Sequence, residues 1–403
     1  MNGDILSDRS FSSDTIYQLD GFVYVKNNAT LHIEAGTIVQ GYIDDQGSNS
    51  IGTLVIARDG YIDARGHACA SIVFTSAQEA GQRAAGDWGG LIILGEARIN
   101  DGINLGSYFV NTVEGGLTGD AADRQYGGSN DRDSSGILQY VRIDFAGAST
   151  SPTDHINALT LAGVGDRMII DHIMVSYSGN DGLQTFGGKW NGSHLIALGN
   201  AEDDIDFDLG YRGILQFGLV YKVAGIASTA QSDGLQSINN ISSPNLLPRT
   251  SPVLSNFTQI GPKASGTPSP DHQAAIRLGR GAWTSIHNSV FTDHVNGLFI
   301  DGDESFAGWN VGLELKGNVL AGMDNDYKAA GAHSTGAIDT LWSNDNTNFA
   351  NTAALGLAPD YNVVNDPGLL PQGGSALLTG ADWNFTQNED FLKVNYRGAF
   401  GDA

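Results

Sequence analysis

The stretch Glu202-Asp203-Asp204-Ile205-Asp206-Phe207-Asp208 crowds five carboxylates into seven residues and runs into Leu-Gly-Tyr-Arg-Gly. Carboxylates at this density hold a hard cation, act as acid and base on a substrate, or face water. Period-two alternation turns Ile205, Phe207 and Leu209 toward a core and Asp204, Asp206 and Asp208 outward. Along one strand those acids stand ~6.8 Å apart, too far for a single ion. Aligning Asp203 with Asp181 and with Asp233 sets Gln184 and Gln236 on either side of Asp206. Stacked strands then assemble a mixed carboxylate and amide patch suited to Ca²⁺, which takes six to eight oxygens. A second candidate is the loop Asn130–Gly136, where Asp131, Asp133 and Ser135 alternate ahead of a glycine. Alternate side chains of a tight loop can converge on one Ca²⁺, although Arg142 occupies the position where an EF-hand needs glutamate.

The elements that position these residues read as strands. FVYVKN (22–27), GTLVIARDG (52–60), WGGLIILG (88–95), NALTLAG (157–163), MIIDHIMVSYS (168–178) and ILQFGLVYK (214–222) are short, apolar by alternation and closed by Gly, Asn or Asp. Asn157, Asp181 and Asp203 recur at 181 − 157 = 24 and 203 − 181 = 22 residues, and Asp233 follows 30 later. A period of this size means stacked coils, so the expected fold is an all-β parallel β-helix, a solenoid. Residues 1–20 are expected to cap its first coil, 21–304 to form the coils, and 305–403 to form a C-terminal cap or annex. The segments 96–136 and 241–272, rich in Gly, Asn, Asp and Pro, read as long loops projecting from the stack.

Composition agrees. The 403 residues include 54 glycines, 41% are hydrophobic and only 16% charged, which favours strands and tight turns over charge-rich helices. A net charge of −24 repels phosphates and argues against nucleic acid or anionic membranes as partners. Cys69 stands alone, which rules out an intrachain disulfide and a cysteine-rich zinc site. No apolar run approaches the roughly 20 residues of a membrane-spanning helix. The histidines show no compact ligand motif, and most are expected at the surface or in turns. Trp88, Trp190 and Trp283 offer flat faces for sugar stacking, with core packing the stronger reading for Trp88.

In the order YQLDGFVYVKNNATLHIEAGTIVQG (17–41), WGGLIILG, YGGSNDRDSSGILQYVRIDFAG (126–147), INALTLAGVG (156–165), NDGLQTFGG (180–188), DDIDFDLGYRG (203–213) and VNYRGAF (394–400), the chain resembles a family of exported bacterial proteins of Bacteroidetes and Proteobacteria. That resemblance implies a right-handed parallel β-helix at the cell surface or outside the cell. The family usually carries acids where this chain has Gln184 and Asn180. IIDHIMVSYSGNDGLQTF (169–186) also looks like the pectate lyase pattern, in which acids hold Ca²⁺ against an acidic glycan and a basic side chain removes a proton. By that resemblance Asp171, Asp181 and Asp204 are the acids and Arg212 or Lys189 the base. Polygalacturonases, with paired aspartates on neighbouring coils, offer a hydrolytic variant. The readings to be tested are therefore a Ca²⁺-binding surface protein that binds a glycan or other cell-surface ligand, a polysaccharide lyase or hydrolase, and a self-associating subunit of a filament or layer.

Overall fold

A computed structural model describes residues 1–43, 50–151, 154–309, 311–358 and 368–401. The chain winds as a parallel β-helix. A ten-stranded sheet forms one side of the coils, and a sixteen-stranded sheet, bent along its length, forms the rest. In the ten-stranded sheet, Leu159–Ala162, Leu183–Phe186, Ile205–Asp208 and Leu235–Ile238 pair parallel, one coil on the next. Ile205 aligns with Leu183 below and Leu235 above, and all three are buried in the continuous core. Each coil contributes one or two such rungs, so the core is a stack of like residues sealed by its neighbours.

The bend in the larger sheet has a specific cause. Gly136–Asp144, Ile169–Ser176, Asn191–Leu198, Ile214–Tyr221 and Val253–Ile260 are long strands interrupted by Tyr140, His172, His194, Phe217 and Asn256. Those five adopt φ of 49°, 55°, 56°, 61° and 58°, and the pairing skips them. Left-handed backbone is unfavourable for non-glycine residues, with asparagine the most tolerant. Here the rings stack from coil to coil: Tyr140 on His172 at 4.1 Å, His172 on His194 at 4.2 Å, and His194 on Phe217 at 5.4 Å between centroids. Stacking contributes roughly 0.5–1.5 kcal/mol per pair and offsets the backbone cost.

The coils extend past both expected boundaries. Arg9–Phe11 and Ile16–Leu19 already pair parallel with Thr30–Ile33 and Ile38–Gly41, so residues 1–20 belong to the first coil. Parallel pairing continues beyond residue 304 through Val319–Ala321, Asn325–Ala330 and Thr347–Phe349. The last two of these strands are polar and partly exposed, which hid them from an apolar alternation test, while Val319–Ala321 is short and buried. Within 241–272, Val253–Ile260 is a fully buried strand rather than loop. The excursion after residue 96 carries three short antiparallel strands, Ile103–Asn104, Phe109–Thr112 and Gln125–Tyr126. Its Ile99, Val113, Leu117 and Tyr126 lie on the outside of the ten-stranded sheet, against Tyr24, Val55, Ile92 and Phe186. Among the described residues, no helix is long and apolar enough to cross a membrane.

Candidate functional site

At the turn that enters the ten-stranded sheet, aspartates occupy one position in three successive coils. Asp181 Oδ1 accepts from the Asp203 amide at 2.9 Å, Asp203 Oδ1 from the Asp233 amide at 2.6 Å, and Asp233 Oδ1 from the Ala274 amide at 2.9 Å. The recurring aspartate thus splices each coil to the next with one oxygen, while the other stays buried: that of Asp203 accepts from the Gln236 amide and that of Asp233 accepts no hydrogen bond. The sheet's outward row begins beside this ladder, where Asp206 pairs in register with Gln184 and Gln236, as expected from the repeat, and Gln236 pairs with Arg277. Asp208 lies two residues on, in reach of the Gln184 amide at 3.5 Å. Glu202 and, from the excursion, Glu114 add to the same field of negative charge.

These acids are shielded from water. Asp206 is only 6% exposed, and one oxygen of Asp206 and one of Asp208 accept no hydrogen bond. Burial, then repulsion from Asp208, Asp181 and Asp203, pushes the Asp206 carboxyl well above the usual carboxylate range. Burial, followed by Asp203 and Glu202, does the same to Asp181. Asp208 and Asp233 are raised to about 8, and Glu202 and Glu114 to about 7, in each case first by burial and next by a neighbouring carboxylate. Like charges held close and dry either keep protons or take up a cation. The guanidinium of Arg277 borders the field, held by Asp301 at 2.7 Å and 3.8 Å from Asp233.

One expected member of the outward face, Asp204, and one of the core face, Leu209, lie elsewhere. Asp204 is fully buried, hydrogen-bonded by Asn200 at 2.7 Å and paired with Lys222 at 3.3 Å. It sits in the turn, where alternation has not yet begun. Leu209 is a corner residue with φ 53°, packed against the outer cluster and not the core. Alternation therefore holds from Ile205 to Asp208 and fails one residue beyond each end.

The loop at 130–136 does not gather its side chains. Asp131 faces Arg98 at 2.8 Å and Arg212 at 3.1 Å, whose contacts override burial and hold it below its ordinary value. Asp133 turns inward, bonded by Ser135 Oγ at 3.1 Å, and burial raises it to about 6. Arg212 thus clamps a loop at the far end of the strand from Asp203 and Asp204, and Lys189 pairs with Asp166 at 3.3 Å. Neither base candidate joins the acids.

Asp171 belongs to the other sheet. Its two oxygens lie 2.9 Å from His172 Nδ1 and 2.9 Å from His194 Nδ1, and Ser193 Oγ donates to it at 2.8 Å. Against the opposing effect of burial, contacts with His194, Ser193 and His172 pull Asp171 down to about 2. Among the described residues, this is the one place where three His, Cys, Asp or Glu side chains bring ligand atoms within 4.8 Å of one another. No three of the groove acids meet that spacing.

A family model described as the pectate-lyase like beta helix domain matches residues 3–358. The chain belongs to that family. No curated protein matches this β-helix domain. Among solved structures it is similar to pectate lyase Pel9A, at 10% identity and a TM-score of 0.43, over 93% of this chain and 88% of that one. It is also similar to the Dettilon tailspike protein, at 11% identity and a TM-score of 0.30, over 79% of this chain and 61% of the other.

Other expectations shift with burial. His272, His287 and His294 are interior, and burial lowers the first two to about 4 and about 3. Trp88 and Trp190 are fully buried, and Trp283 is covered by Arg249 at 4.2 Å, so none offers a free face for a sugar. Sequence reasoning passed over Glu114, Glu202 and Arg277 as site residues and used Asp203 and Asp233 only to set register. The repeat itself held the signal for that pair, because a polar residue recurring at one coil position forms a ladder.

Proposed function

We propose that this β-helix protein is exported and binds an acidic polysaccharide through Ca²⁺ held in the groove of Asp181, Asp203, Asp206 and Asp208. The observation that carries this reading is the shielded, unpartnered oxygen of Asp206 amid like charges, an arrangement that a hard divalent cation neutralises. Side-chain amides of Gln184 and Gln236 supply further oxygens, and Ca²⁺ would add the charge that lets a polyanion approach a chain of net charge −24. Arg277 stands two coils from Asp206 on the same outward row, ~10 Å along the axis, where its fork can take a second carboxylate of an extended glycan.

Cleavage by β-elimination is the second reading, favoured by membership in a pectate-lyase like family. Arg277 serves binding better than proton abstraction, since against the opposing effect of burial Asp301 and Asp233 raise its pKa and keep it charged. The test is to titrate polyuronates and neutral glycans into the protein with Ca²⁺ or EDTA while following unsaturated ends. Ca²⁺-dependent binding of acidic chains supports the proposal, and new unsaturated ends promote the second reading. Equal binding with EDTA, or none to any polyuronate, contradicts it.

A further inference from the structure

The left-handed corner of the sixteen-stranded sheet divides into two halves. In the later coils it is formed by Asn256 and Asn288, and the C-terminal segment lies along it, accepting from Asn256 at the Tyr396 carbonyl (3.1 Å) and from Asn288 at the Asp382 carbonyl (3.0 Å). In the earlier coils the corner carries Tyr140, His172, His194 and Phe217, and beside it runs an open groove of about 360 Å³ that ends at Phe400. Asp171 reaches the two imidazoles from beside this corner, where it borders a second groove together with Ser193, Gln216 and the C-terminal Asp390 and Phe391.

We propose that Asp171, His172 and His194 form a binding site for a borderline divalent transition-metal ion, with Zn²⁺ as the type. The donor set is two imidazole nitrogens and a carboxylate oxygen, which suits Zn²⁺, Cu²⁺ or Ni²⁺ and not Ca²⁺. One imidazole must tilt out of the stack for both Nδ1 lone pairs, which lie in the ring planes, to meet one ion. Tyr140 and Phe217 sandwich the stacked imidazoles, and Ser193 and the Gln139 amide (3.5 Å) orient the carboxylate, the outer support that metal ligands require. A second observation points the same way. His172 Nδ1 is shielded from solvent and 2.9 Å from Asp171, yet makes no hydrogen bond in that geometry, so its lone pair or proton is aimed beside the carboxylate. A histidine pair that merely neutralised Asp171 would direct both Nδ1 groups at its oxygens.

The test uses tag-free protein in excess Ca²⁺, so that the acid groove is occupied independently. Isothermal titration with Zn²⁺ should show one equivalent binding well above any weaker surface uptake. The Cu²⁺ form should show splitting from two nitrogens in its electron paramagnetic resonance spectrum. The variants are His172→Asn, His194→Asn and Asp171→Asn; asparagine fits the left-handed corner, as Asn256 and Asn288 show, so folding is retained and is checked by the unfolding midpoint. Each should weaken Zn²⁺ at least tenfold, and each histidine variant should lose one nitrogen from the Cu²⁺ spectrum. Stoichiometric Zn²⁺ binding that survives in the His172→Asn/His194→Asn double variant, or no saturable binding by the parent, overturns the proposal.

Discussion

The two sheets use the same device, a side chain repeated at one position of successive coils, to opposite electrostatic ends. On the ten-stranded sheet the repeated groups are carboxylates, with Arg277 at the margin and Lys222 buried against Asp204 as the neighbouring cations, and their charge is raised in energy by burial. On the sixteen-stranded sheet one carboxylate is shared by two histidines and sits comfortably ionised at about 2. Stacking of coils therefore amplifies whatever charge a single rung carries. Where imidazoles share a carboxylate, its pKa is held low; where only carboxylates meet, burial and mutual repulsion push them up, and the proposed Ca²⁺ would relieve that repulsion.

The largest effect in this comparison is expected inside the acid-bearing coil. Lys222 is 1% exposed and Asp204 0% by side chain, so Lys222→Met strands a buried carboxylate and should cost about 3–5 kcal/mol in denaturant unfolding. An unchanged midpoint would mean that Asp204 takes a proton at little cost. Asp204→Asn in the Lys222→Met background should recover much of the loss, since the uncompensated charge is then gone.

Next in size is the response to pH without Ca²⁺. Asp208 and Asp233, raised to about 8, and Glu202 and Glu114, raised to about 7, hold protons in the folded chain that the unfolded chain releases near pH 4. The folded state then binds more protons, so their contribution is fully present below about pH 4 and is lost as pH rises through about 8. The buried His272 and His287 act with the opposite sign: lowered to about 4 and about 3, they destabilise as pH falls below about 6.5. Unfolding midpoints in EDTA should fall between pH 5 and 8, and Asp208→Asn should flatten that slope. A slope that Asp208→Asn leaves untouched would shift the burden to other groups.

The smallest effect is expected on the aromatic corner. Phe217→Asn removes one stacking partner, worth roughly 0.5–1.5 kcal/mol, but places a residue that tolerates positive φ at a position of φ 61°, so the net loss should stay under about 1 kcal/mol. A larger loss would show that the ring ladder, rather than the core beneath it, holds the bend.

Much of this architecture was legible in the residues themselves. Alternation and glycine punctuation indicated stacked parallel strands, and the spacing of Asp181, Asp203 and Asp233 set the register that places Gln184 and Gln236 beside Asp206. Alternation misassigned Asp204 and Leu209 because it presumes extended backbone, whereas one lies in a turn and the other has φ 53°. The shielding of the acids was illegible for a different reason. It depends on burial between coils and on an excursion that returns from residues 96–136, contacts that no local period encodes. The His172 and His194 pair was legible in principle, since 194 − 172 = 22 matches the coil period that aligned the aspartates.

By this proposal the ionised acid groove takes up Ca²⁺. The most direct measurement is the thermal unfolding midpoint of EDTA-stripped protein at pH 8, with and without added Ca²⁺, for the parent chain and for Asp206→Asn. Ca²⁺ should raise the parent midpoint by several degrees, while Asp206→Asn should start higher in EDTA, having lost one repelling charge, and gain little from Ca²⁺. A parent midpoint that Ca²⁺ leaves unchanged would contradict the account.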